Sequence, residues 1–178
     1  MIYLFLQEGF EEVEAMAPID ILRRAGADLK TVGESGRMVT SSHGVTVKAD
    51  LESGDVSFAD MGMVILPGGS GTSNHEKSPV VKDALHYCAE HGKLIGAICA
   101  APSVLGHMGL LQGHSAVCFP GYEKELEGAK VLSDPVCVSG KIITARGAGV
   151  AVEFALTIVA ELFGEKKSLE IRNKIQCI

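Results

Sequence analysis

Three short runs of this chain, Ile2–Leu6, Met63–Leu66 and Leu94–Ile98, contain no charged residue and no alternation of polar with apolar positions. A strand points successive side chains to opposite faces, so a run without alternation has to be covered on both. Each run ends in a turn and leads towards a helical pattern. The turns are Gln7-Glu8-Gly9, Pro67-Gly68-Gly69-Ser70-Gly71 and the small residues around Cys99. Buried strands alternating with helices predict an α/β chain: a doubly wound, mostly parallel sheet with right-handed crossovers and helices on both faces. At 178 residues it is expected to form one domain over 1–178.

The pattern predicts a helix from Glu11 to about Ala25, stopped by Gly26, and a strand at Ala27–Val32. Met38–Ser41 and Val45–Ala49 read as a hairpin inserted on one edge of the sheet. Pro79 to about His91 is a helix, as is the segment after Cys99 to about Met108. Ser115–Phe119 is a short strand, Tyr122–Glu127 a short polar helix, and Val136–Ser139 with Lys141–Ala145 a second hairpin. Val150–Phe163 and a terminal helix after Gly164 close the chain.

A net charge of −6 without any Lys/Arg run argues against nucleic acid or an anionic membrane as partner. Residues 1–7 lack the basic flank and cleavage site of a signal peptide, and Val150–Phe163 is interrupted by Glu153 and Glu161 and too short to span a bilayer. A soluble, cytoplasmic protein is the expectation. Five widely spaced cysteines without a C-x-x-C pair suit free thiols in a reducing compartment. No zinc or other metal site is expected, because the six histidines show no ligand spacing.

The segment Lys93–Leu105 joins strand to helix at Cys99, with Pro102 suited to the first helical turn. A thiol there faces unpaired N–H groups and a helix N-terminus, so the reading is a nucleophile elbow with a lowered thiol pKa. The alternative is a buried core cysteine at the end of a central strand. Glu14 raises a second question, since it falls within the apolar face made by Ala15, Ala17, Pro18, Ile19, Ile21, Leu22 and Ala25. It is either a carboxylate near a helix N-terminus within reach of water, or a partly buried carboxyl kept protonated as a hydrogen-bond donor. The loop at 67–71 has no G-K-[ST] ending and no complete G-x-G-x-x-G, so phosphate binding is weakly supported. An N–H from this loop and the N–H following Cys99 would make an oxyanion hole, both lying at carboxyl ends of adjacent strands.

Gly9-Phe-Glu-Glu-Val-Glu-Ala15, Ile21-Leu-Arg-Arg-Ala-Gly26, Leu66-Pro-Gly-Gly69, Ala97-Ile-Cys-Ala-Ala-Pro102 and Thr144-Ala-Arg-Gly-Ala-Gly149 resemble the DJ-one/ThiJ/PfpI superfamily. The likeness covers nearly the whole chain and is greatest to the branch of DJ-one and YajL. It implies a flavodoxin-like sandwich, a homodimer and no cofactor. It also implies that Cys99 is the reactive cysteine, Glu14 the protonated carboxyl bonded to its sulfur, and Gly69 with Ala100 the backbone donors beside it. Arg24 matches an arginine near the dimer interface; a second arginine joins it in holding an anion in relatives, and His43 stands at that position here. Ala100 replaces the histidine that follows the cysteine in the peptidase-like branch, which argues against peptidase activity. Phe119 stands before Pro120 where some relatives carry histidine, which leaves base chemistry to Glu14 or water. The implied activity is a glyoxalase or deglycase acting on a small aldehyde or dicarbonyl such as methylglyoxal. The rival is an oxidative-stress sensor or chaperone in which Cys99 becomes a sulfinate without turnover.

Overall fold

The structure, a computed structural model, describes residues 1–177. In chain order it contains β1 (Ile2–Leu6), α1 (Glu12–Ala25), β2 (Leu29–Gly33), β3 (Met38–Thr40), β4 (Thr46–Lys48), β5 (Leu51–Glu52), β6 (Met63–Leu66) and α2 (Pro79–Glu90). These are followed by β7 (Leu94–Ile98), α3 (Pro102–His107), β8 (Ser115–Ala116), β9 (Lys130–Val131), β10 (Val136–Ser139), β11 (Ile142–Ala145), α4 (Ala151–Phe163) and α5 (Glu165–Lys174). Seven strands form the main sheet in the order β10-β11-β7-β6-β1-β2-β5. Every pairing in it is parallel except β10 with β11. This is the doubly wound sheet that the alternation of buried strands and helices predicts, and the flavodoxin-like sandwich that the resemblance implies.

Period-2 geometry divides each run between two cores. Leu4, Leu6 and Ile65 pack with Ile21 and Leu22 of α1, Phe154 of α4 and Ile171 of α5. Tyr3, Phe5, Val64 and Leu66 pack on the other face with Val81 and Leu85 of α2 and with Val104 and Leu105 of α3. Cys88 and Cys118 belong to this second core, which accounts for both as structural thiols. Helix α1 starts at an N-cap, Glu11, whose carboxylate accepts the Glu14 N–H at 2.8 Å, and ends at Gly26 with φ 89°. Pro18 is accommodated inside it.

Several local expectations are corrected. The hairpin at β3–β4 forms a separate two-stranded sheet, and β5 takes the edge of the main sheet. The strand expected at Ser115–Phe119 keeps only Ser115–Ala116, which pairs with Lys130–Val131; beyond it the Phe119 N–H turns to the Cys99 carbonyl at 2.8 Å. The polar helix at 122–127 is a single 3₁₀ turn, Glu123–Glu125, and a similar turn at Ala148–Val150 precedes α4.

Strand β1 has β2 on one side and β6 on the other, so the chain reverses its direction of travel across the sheet at β1. Ligands of such sheets bind beyond the carboxyl ends of the strands at that reversal. Gln7, Pro67 and Cys99 follow β1, β6 and β7 directly there.

Candidate active site

The backbone makes the elbow first. Cys99 has φ +66°, in the left-handed region that a side chain adopts at a cost of about 1–3 kcal/mol. Its N–H donates to the Ala145 carbonyl at 2.9 Å and its carbonyl accepts from Phe119, so neighbouring segments on both sides hold the turn. Pro102 opens α3 three residues later.

Glu14 lies on the inward face of α1 and is fully buried. The Gly68 N–H donates to its Oε2 at 2.9 Å, and its carboxyl reaches the Cys99 sulfur. Among the described residues no nitrogen or oxygen is hydrogen-bonded to Oε1. The Gly69 and Ala100 N–H groups donate to the same sulfur. The structure therefore brings Cys99, Glu14, Gly69 and Ala100 together, and the buried reading of Glu14 is the one observed.

Gly68 has no role in the sequence expectations, yet it is the glycine of this loop that packs directly on both Cys99 and Glu14. A Cβ on it would lie 2.7 Å from the Cys99 Cβ and 2.8 Å from Glu14 Oε2. The loop is tied from behind by Gln7 Nε2 to the Gly68 carbonyl at 3.5 Å, and by the buried His75, whose Nε2 lies 3.2 Å from the Pro67 carbonyl. The signal available in sequence was the glycine pair after a buried strand. Nothing in the spacing singles out His75.

The electrostatics correct one expectation. Burial, followed by the charge of Glu14 and a hydrogen bond to it, pushes the Cys99 thiol up to about 12, while the Ala100 and Gly69 amides pull the other way. A lowered thiol pKa was expected from the helix N-terminus, but α3 has only six residues and a carboxyl faces the sulfur directly. Burial also pushes Glu14 up to about 7. The two groups titrate as a pair, so between these limits they hold one proton between them. With the proton on the carboxyl, the sulfur is a thiolate faced by a hydrogen-bond donor and two amides.

Arg24 and His43 do not form an anion cradle within this chain. Arg24 Nε pairs with Asp20 one turn away at 2.7 Å, and His43 Nδ1 lies 2.8 Å from Glu12 Oε2. Glu12 is held well below the usual carboxylate range, at about 2, by His43 and Ser41. Glu11, Glu12 and His43 form the grouping with metal-ligand proximity among the described residues. Their oxygens are engaged in capping α1 and anchoring the hairpin. All five cysteines are free thiols. A cavity of about 390 Å³ opens beside the site, lined by Phe119, Pro120, Pro135, Arg146 and the Gly147–Val150 turn. No helix among the described residues is long and apolar enough to cross a membrane.

The DJ-1/PfpI family matches residues 1–161. The chain is 38% identical over 172 residues to Protein dj-1beta of Drosophila melanogaster, covering 94% of this chain and 92% of that one. It is 36% identical over 162 residues to Glutathione-independent glyoxalase DJR-1.2 of Caenorhabditis elegans, covering 90% and 87%. Against Protein DJ-1 homolog B of Arabidopsis thaliana it is 34% identical, and there it spans 39% of the relative's length. The solved structure of oxidized Toxoplasma gondii DJ-1 superposes with a TM-score of 0.94 at 35% identity, covering 98% of this chain and 97% of that one.

Glu14 has a consequence for stability. Its pKa is raised on folding, so the native state binds the proton more tightly, and the associated stability is complete below the unfolded value near 4.5 and lost as pH rises through about 7. Urea unfolding of the wild type is expected to lose roughly 3 kcal/mol relative to Glu14→Gln across that window. Parallel pH profiles for the two proteins would contradict a buried, raised carboxyl.

Proposed function

The chain belongs to the DJ-1/PfpI family, and on that premise we propose that it is a cysteine-dependent glyoxalase or deglycase acting on dicarbonyls such as methylglyoxal or their adducts. The observation that carries this reading is the buried Glu14 carboxyl facing the sulfur of a cysteine held in the left-handed conformation. The name of the Caenorhabditis elegans relative points the same way.

In this reading the Cys99 sulfur attacks the aldehyde carbon, forming a C–S bond and moving the carbonyl electron pair onto oxygen. The Gly69 and Ala100 amides then stabilise the charge on that oxygen. The thiol proton passes to Glu14 and on to the oxygen, giving a hemithioacetal. Glu14 next removes the proton from the former aldehyde carbon and returns it to the adjacent ketone carbon, while the proton on the former aldehyde oxygen moves to the ketone oxygen. The aldehyde is oxidised as the ketone is reduced, so no external redox partner enters, and a thioester remains. Water cleaves the thioester, releasing lactate and restoring Cys99. A group titrating near 7 suits both halves of this proton shuttle.

A second reading rests on one specific observation, that both amides point at the sulfur itself. The same donors would hold the oxygens of a sulfinate, making Cys99 an oxidation sensor. For the assembly, we propose a homodimer. Val13 on α1 and Met38 and Val45 at the β3–β4 hairpin are 49%, 60% and 52% exposed, and a second copy would cover them.

Methylglyoxal consumption should proceed without glutathione and produce lactate. Cys99→Ser should abolish it, and Glu14→Gln should lower kcat by about 10²–10⁴-fold. Absence of turnover in the wild type, with two oxygens added to Cys99 by peroxide, would replace the enzyme reading with the sensor. Sedimentation at micromolar concentration should show a dimer, and a monomer there would remove the assembly proposal.

A further inference from the structure

A second cavity, of about 530 Å³, is lined by residues close to Cys99, and Arg146 is not among them. Gly69, whose N–H points at the Cys99 sulfur, and Ser103, four residues after Cys99, form its inner wall. The segment 119–122 runs between the two cavities, placing Phe119 and Pro120 against the first and Gly121 and Tyr122 against the second. Phe119 is itself hydrogen-bonded to the Cys99 carbonyl. Residues close to Cys99 therefore border both cavities.

The outer wall of this second cavity is acidic. His107, at the end of α3, stands between two carboxylates, with Nδ1 2.8 Å from Glu76 Oε1 and Nε2 2.8 Å from Glu125 Oε2. No Lys or Arg lines the cavity. The group is net negative whether the imidazole is charged or neutral, because it holds two carboxylates and one histidine. Each carboxylate spends one oxygen on the ring, and its other oxygen accepts no hydrogen bond from the described residues. The three residues come from the 3₁₀ turn Thr72–Lys77, from α3 and from the turn Glu123–Glu125, so the ring also fixes the spacing of the walls.

We propose that Glu76 and Glu125, braced by His107, form a specificity subsite that receives the positively charged end of a carbonyl compound whose reactive carbon sits at Cys99. The chemical class is an aldehyde or carbonyl adduct bearing an ammonium or guanidinium group. This rests on Cys99 being the reactive thiol and narrows the substrate class of the proposed activity. An amine-bearing substrate gains two outward carboxylate oxygens there, whereas an anionic one is repelled from that side.

The test uses thiol labelling and does not depend on turnover. Cys99 is reacted with three methanethiosulfonates carrying a trimethylammonium-ethyl, a sulfonatoethyl or a neutral methyl group, and modification is read at Cys99 by peptide mass spectrometry. The sulfur attacks the reagent's sulfenyl sulfur, a disulfide forms, methanesulfinate leaves, and the thiol proton passes to Glu14 or solvent. Each charged rate is divided by the neutral rate in the same protein. At about 0.15 M salt the screening length is about 8 Å, so distant charges contribute little. The cationic-to-anionic ratio should fall at least about fivefold in Glu76→Gln/Glu125→Gln, as expected for removing two nearby charges. Glu161→Gln, an exposed carboxylate on α4, should leave the ratio as in the wild type. An unchanged ratio in the double variant overturns the subsite even if methylglyoxal is turned over. A reduced ratio in a protein without turnover keeps the subsite while the enzyme reading fails. Failure of Cys99 to react with any of the three reagents overturns the subsite, since its premise is a reactive thiol.

Discussion

One shared proton between Cys99 and Glu14 is the interaction on which the site depends. A thiol and a carboxyl buried against each other cannot both ionise without a large penalty, so one stays protonated across the neutral range. The rest of the local structure holds that pair in contact. The left-handed turn at Cys99 lies at the end of β7, and α1 presents Glu14 from the crossover after β1, with β6 between the two strands. Gly68 and Gly69 allow the loop after β6 to press against both. The short α3 contributes less to the sulfur than its position suggests, because burial and the charge of the Glu14 carboxyl outweigh the amides that favour the thiolate.

The fold was legible because its signal is long-range redundancy in a short-range pattern. Ile2–Leu6 and Met63–Leu66 carry no polar face, and both are buried throughout between two helical layers. Cys99 and Glu14 were legible for the opposite reason, each breaking a local rule. One is a cysteine at a strand-to-helix turn, and the other a carboxylate in an apolar stripe. Ala100 followed as the residue after Cys99, whereas the glycine loop offered only an unspecified N–H and Gly69 was named by the resemblance. What could not be read was any property set by residues far apart in sequence. His107 meets Glu76 and Glu125 across 31 and 18 residues, and no periodicity records such a meeting. The raised thiol pKa was not legible because the helix N-terminus is local, whereas the burial that dominates the shift, and the carboxyl 85 residues away that adds to it, are set by the fold. Arg24 and His43 resemble an anion site by position, but Asp20 and Glu12 satisfy them first.

The surroundings of the sulfur are polarised. Arg146, Phe119 and two prolines border one side, and two carboxylates around an imidazole border the other. The pair itself is indifferent to what lies beyond the reacting carbon, since it handles only a carbonyl and a proton. Selectivity in such a site resides in the walls, and the walls come from the loops between β6 and α2 and around residues 119–125, the most locally variable kind of structure in an α/β sheet.

The shared proton is tested most directly by the pH dependence of Cys99 alkylation by iodoacetamide in the wild type and in Glu14→Gln. In the wild type the rate should rise with an inflection near 7, as the pair loses its first proton and the thiolate faced by a protonated carboxyl becomes populated. In Glu14→Gln that inflection should disappear and the thiol should titrate alone at higher pH. Superimposable profiles for the two proteins would contradict a proton shared between Cys99 and Glu14.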